Sequence, residues 1–232
     1  MDKLFKKIKM VPWWGWVSGI VFFILQRLFY DFGFYLSKSL GTISRAFECK
    51  IPVIDDLIPV IPVFTVIYLF SYIFWIMAPI VASLTEKNNY VNYLIGLFMA
   101  YLIGLLFFIF VPTYMDRVKE GLLVIVDKPG IFNLMLKTVY ENDGKEIAYN
   151  LLPSYHCLIS AYCYLGIRNR EEISKGFRVY SLVMAILVCL STIFTKQHYI
   201  IDVISGVGIS LVCYIITTKL NIADKLLNRE KR

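Results

Sequence analysis

Long apolar runs, separated by short polar segments, dominate the chain. Six of them predict helices, over residues 14–30, 57–84, 91–111, 154–167, 179–194 and 199–218. Most approach the roughly 20 apolar residues that carry an α-helix across a bilayer, and the fourth and fifth are the shortest. No internal repeat, low-complexity tract or linker divides the chain. The pattern therefore predicts an all-α polytopic membrane protein, a single integral-membrane domain over residues 1–232 with six transmembrane helices in a bundle. The longest connection, residues 112–153, holds GLLVIV, then the turn signal DKPG, then IFNLMLKTVY. That last segment reads equally as an interfacial amphipathic helix or as a loop packed on the bundle.

Composition agrees with the pattern. The chain is 58% hydrophobic and 18% charged, against about 45–50% and about 25% in soluble domains. Trp13, Trp14 and Trp16 stand at the start of the first run, where interfacial anchors sit. The net charge of +7 comes from residues flanking the apolar runs. It is explained by membrane topology and anionic headgroups rather than by nucleic acid. Four of the five cysteines lie inside apolar runs and none forms a C-x-x-C pair, so they read as buried free thiols. With two histidines in all, no zinc site is expected. The Lys-rich start precedes an apolar run that no small-residue cleavage site ends, and reads as an uncleaved first span.

Basic residues set an orientation. The N-terminus (Lys3, Lys6, Lys7, Lys9), Lys87, the fourth connection (Arg168, Arg170, Lys175, Arg178) and the tail (Lys219, Lys225, Arg229, Lys231, Arg232) share one side and outweigh the other. By the positive-inside rule both termini are expected in the cytoplasm, with the plasma membrane as the expected site. Three polar segments then meet at the non-cytoplasmic face: VPTYMDRVK, LLPSYH and TKQHYIID.

These segments hold the residues able to carry chemistry. His198 and Asp202 are one helical turn apart, so the carboxylate can orient the imidazole and leave its other nitrogen to attack. Pro153 and Ser154 suit a helix start, whose N–H groups attract an anion, and His156 lies just inside it as a candidate acid. Arg117 offers a guanidinium that matches phosphate oxygens. Taken singly, each has an ordinary reading: a helix-start cap, an N-cap beside an interfacial His, a snorkelling Arg. Together they fit phosphoryl transfer, with a nucleophile, an acid and cationic donors.

At these residues the chain resembles the type 2 phosphatidic acid phosphatase/haloperoxidase superfamily, whose motifs are K-x6-R-P, P-S-G-H and S-R-x5-H-x3-D. Pro153-Ser154-Tyr155-His156 resembles the second; Ser191, His198 and Asp202 keep the spacing of the third; Arg117 takes the place of the first motif's Arg. The resemblance covers a phosphatase-like core of about residues 91–218. It implies that His198 forms a phosphohistidine, Asp202 orients it, His156 protonates the leaving group, and Arg117 and Ser154 bind phosphate. It also implies no cofactor and no metal, and a lipid phosphate or diphosphate as substrate. Phe110, Val118, Tyr155 and Thr192 depart from the motifs' Lys, Pro, Gly and Arg. Lys196 is the expected replacement cation for phosphate, with Lys119 behind it.

The expected function is thus a membrane lipid phosphatase with its site on the non-cytoplasmic face. The alternative is a lipid headgroup phosphotransferase of the inositolphosphorylceramide-synthase type using the same histidines, and the third reading is a non-catalytic transporter or scaffold. The expected partners are the lipid phosphate substrate and membrane lipids.

Overall fold

The computed structural model describes residues 10–227. The basic residues Lys3, Lys6, Lys7, Lys9, Arg229, Lys231 and Arg232, on which part of the orientation argument rests, lie outside the described residues. Helix α1 spans Trp13–Ser39, and a short α2 (Pro52–Asp55) and a 3-10 turn (Pro62–Phe64) lead into α3 (Thr65–Ala82). Then follow α4 (Lys87–Phe110), strand β1 (Tyr114–Asp116), α5 (Leu122–Val126), α6 (Ile131–Asn142), strand β2 (Ile147–Tyr149), α7 (Tyr155–Leu165), α8 (Lys175–Phe194), α9 (Ile200–Leu220) and α10 (Ile222–Leu227).

Among the described residues five helices are long and apolar enough to cross a membrane, rather than the expected six. The fourth expected span is α7, whose 11 residues rise only about 16 Å against the roughly 30 Å of a bilayer's hydrocarbon core. Ser154 caps its start, accepting from the Cys157 N–H at 3.4 Å. The chain beyond α7 continues to the far end of the bundle without regular helix, and there the Glu86 N–H donates to Glu172 at 3.2 Å. Because α7 is buried on nearly every face, its neighbours rather than lipid satisfy it. Trp75 donates to Ser160 Oγ at 2.9 Å from α3.

Small residues set how the long helices cross. A side chain at Gly15 or Gly19 of α1 would collide with Ser83 or with Ile76 and Ile80, so α1 lies tight against α3 at the end where α1 begins. At its other end Gly33 lies against Phe108 of α4. Helix α1 thus packs closely on α3 near its start and on α4 near its end. Gly206 of α9 meets the backbone of Ser154 and Leu158, which presses α9 onto the start of α7. An aromatic core fills the bundle, with Phe74, Trp75, Tyr101, Phe108 and Tyr162 all buried.

The connection over residues 112–153 folds onto the end of the bundle. β1 and β2 pair antiparallel, Tyr114 opposite Tyr149. A second apolar cluster, with Met115, Leu136, Tyr140 and Tyr199, seats α5 and α6 above the long helices. Helix α6 buries Leu136 and Tyr140 on the bundle while Ile131, Phe132 and Leu134 stay exposed, so the IFNLMLKTVY segment is a helix packed on the bundle rather than a loop.

Candidate active site

The two histidines are brought together by two helix starts. α7 begins at Tyr155 and α9 at Ile200, and the Ser154 N–H donates to the Asp202 carbonyl at 3.0 Å, tying one start to the other. His156 and His198 face each other with ring centroids 6.4 Å apart. The turn before α9 is fixed from behind: the Gln197 and His198 N–H groups donate to the Thr192 carbonyl at 2.9 and 3.2 Å. Asp55 of α2 is buried and accepts from the Ile200 N–H at 3.0 Å, neutralising an unpartnered donor of the α9 start.

Asp202 is fully buried, and its Oδ2 lies 3.5 Å from His198 Nδ1. The same oxygen accepts from the Tyr199 N–H at 2.9 Å. At 3.5 Å the pair is longer than an ordinary hydrogen bond. Since Nδ1 faces the carboxylate, Nε2 is the nitrogen left to the cavity. His156 stacks on Tyr68 with centroids 4.0 Å apart and sits 4.8 Å from the Trp75 ring. Its Nε2 is buried without a partner among the described residues.

Both histidines line one cavity of about 600 Å³, within the range of ligand sites. Tyr68, Tyr72, Asp143, Gln197 and, from α1, Gln26 also line it. Ile24 and Leu28 of α1 and Leu69 of α3 border the same cavity and are exposed on the outer surface of the bundle. The cavity therefore opens sideways, reaching the outer surface of the bundle between α1 and α3.

The expected phosphate ligands sit elsewhere. Arg117 is fully buried and does not line the cavity. It donates to the Tyr140 and Gly144 carbonyls at 3.2 and 2.6 Å, to Asp143 at 3.2 Å and to Gln197 Oε1 at 3.1 Å, and lies over the Tyr140 ring at 4.2 Å. A guanidinium has five N–H donors, and only its Nε remains unpartnered here. Lys196 points the other way, its Nζ donating to the Asp55 carbonyl at 2.5 Å. Burial lowers the Lys196 pKa, and the charge of Asp55 opposes that shift. Lys119 is on the surface, paired with Glu48 at 3.0 Å. Ser154 is fully buried and serves as the α7 cap. Phe110 and Val118 are exposed, and the Thr192 hydroxyl lies 3.4 Å from Cys157 Sγ, so none of the departing positions reaches the cavity with a charge. Behind Asp202, burial pushes the Cys49 thiol up to about 12, with the Asp202 charge adding to it.

Tyr155, in the place of the motif's Gly, also lines the cavity. Its ring packs against Gly104 and Phe108, and its hydroxyl donates to the Tyr101 carbonyl at 2.5 Å. Sequence reasoning missed Gln197 and Gln26. Gln197 adjoins His198, which was the available signal; Gln26 was visible as an amide inside an apolar run.

Two facing histidines, one backed by a buried carboxylate, at the starts of helices in a membrane bundle agree with the comparison to known families. The PAP2 superfamily pattern matches residues 53–216. The chain belongs to the PAP2 superfamily. No curated protein matches it, and no solved structure does. Superfamily membership points to a phosphatase-type activity. The match includes α2 and α3 as well as both histidines, and leaves α1 outside it.

Proposed function

We propose that this PAP2-superfamily protein hydrolyses a lipid phosphate or diphosphate through a phosphohistidine on His198, without a metal ion. The observation that carries the reading is the sideways opening: one cavity holds His156 and His198 and is bordered by outward-facing Ile24, Leu28 and Leu69. A lipid tail stays among apolar side chains while its phosphate reaches the histidines. His198 Nε2 attacks phosphorus, the bond to the leaving oxygen breaks, and His156 gives that oxygen a proton. His156 then takes a proton from water, which attacks phosphorus and breaks the P–N bond, releasing phosphate and free His198.

The bundle end that carries the α1 start and the α9 end faces the cytoplasm in this reading, because lysines and arginines crowd that side of the sequence. The cavity then opens on the non-cytoplasmic half of the plasma membrane. Turnover of phosphatidic acid and lipid diphosphates by purified protein in bilayers, abolished in His198→Ala, is the expected result. Equal turnover in His198→Ala contradicts it.

One observation favours a second reading, transfer of a phospho-headgroup to an alcohol. The two guanidinium groups near the cavity are each paired with a carboxylate, Arg117 with Asp143 and Arg27 with Asp31. A singly charged phosphodiester needs less compensation than a phosphomonoester dianion. Formation of a headgroup-lipid on adding an acceptor alcohol separates transfer from release of free phosphate.

A further inference from the structure

Gln26 lies in the first long helix, is only 7% exposed and lines the cavity that holds both histidines. None of the side-chain hydrogen bonds among the described residues involves its amide; the side-chain bonds of its surroundings are those of Ser18, Arg27 and Tyr30. Its amide atoms are not sealed inside the protein but open onto the cavity. A polar side chain at that depth in a membrane-spanning helix marks a functional position. We propose that Gln26 is a substrate-recognition residue, taking an uncharged, hydroxyl-bearing group attached through oxygen to the phosphorus that His198 attacks. The inference rests on the second reading above, in which His198 attacks the phosphorus of a phosphodiester and the headgroup stays on that phosphorus.

The class of group follows from the charges around the cavity. Arg27 lines the cavity and is paired with Asp31 at 2.8 Å. Asp143 is held by Arg117 at 3.2 Å and by the Tyr30 hydroxyl at 2.6 Å. An ammonium or carboxylate beside Gln26 would find each opposite charge already matched. A hydroxyl finds an amide that both donates and accepts. Because Gln26 lies outside residues 53–216, the superfamily pattern supplies the reacting groups and α1 supplies the discrimination between substrates.

The test uses the full-length His198→Ala protein in lipid nanodiscs, which binds without turnover. Equilibrium binding is measured for dioctanoyl phosphatidylglycerol, phosphatidylethanolamine and phosphatidic acid. The expected result is a preference for phosphatidylglycerol over both others that falls about tenfold or more when Gln26→Leu is added. Equal binding of the three probes, or a preference that survives Gln26→Leu, overturns the proposal. Thermal unfolding gives a second readout: Gln26→Leu in the wild-type background raises the midpoint, because an unpartnered polar group is lost. A lowered midpoint assigns the amide a structural role and overturns the proposal as well. Phosphohistidine formation by the wild-type protein reports separately on the chemistry, so its absence alongside an intact, Gln26-dependent preference sinks the histidine reading alone.

Discussion

Arg117 donates through Nη2 to Gln197 Oε1 at 3.1 Å. A guanidinium can only donate, so the amide oxygen must face it and the amide nitrogen must face away. That nitrogen is buried without a partner among the described residues, on a side chain that lines the cavity beside His198. The arginine therefore acts on the site one residue removed. It orients an uncharged donor and holds the connection over residues 112–153 to the turn that carries His198.

Gln197→Leu removes that donor from the transition state. Turnover is expected to fall about 10²-fold in kcat with KM little changed. Steady-state kinetics on a lipid phosphate in bilayers checks this, and a change confined to KM counts against the role. Arg117→Met leaves Asp143 without its charge partner and two carbonyls unpaired, and is expected to destabilise by about 3 kcal/mol or more.

Asp202→Asn keeps an acceptor for the Tyr199 N–H and loses the charge facing His198 Nδ1. The rate of phosphoenzyme formation is expected to fall about 10²–10⁴-fold, with the thermal midpoint nearly unchanged. Rapid-quench measurement of the adduct decides it.

Tyr155 and Gly104 fit as a pair. Tyr155→Gly, which brings the stretch closer to the superfamily motif, empties the space between α4 and α7 and is expected to cost about 3–5 kcal/mol. Gly104→Ala drives a methyl group into the Tyr155 ring and is expected to cost about 1–3 kcal/mol. Denaturation of both variants in detergent, against wild type, gives the comparison.

Lys196 gives stability a pH dependence of known sign. Burial lowers its pKa from the ordinary 10.5, with the Asp55 charge opposing the shift. Between the lowered value and 10.5 the unfolded chain binds more protons than the folded one, so stability rises with pH across that window. Below the window the whole penalty on the ammonium is present. The thermal midpoint of wild type relative to Lys196→Met should therefore climb as pH rises from neutral towards 10.5. Parallel curves contradict this.

The long helices were legible because lipid-facing surfaces demand unbroken apolar runs. The approach of His156 to His198 was legible because alternating spans return the chain to one end. The extent of α7 was not, since its apolar run reflects burial inside the bundle rather than contact with lipid. The commitments of Arg117 and Lys196 were hidden for another reason. Each is satisfied by backbone carbonyls distant in sequence, Gly144 and Asp55, and a carbonyl leaves no trace in side-chain chemistry. Tyr155 became intelligible only once Gly104 lay opposite it. Gln26 was passed over in the sequence beside Arg27, and only the cavity shows what it faces.

The most direct test of the account is to trap the enzyme during turnover of a phosphorus-labelled lipid phosphate, with a chelator present. The expected result is a covalent adduct on His198, labile in acid and stable in base, and absent from His198→Ala. An adduct that survives in His198→Ala, or turnover that stops when divalent ions are removed, would contradict it.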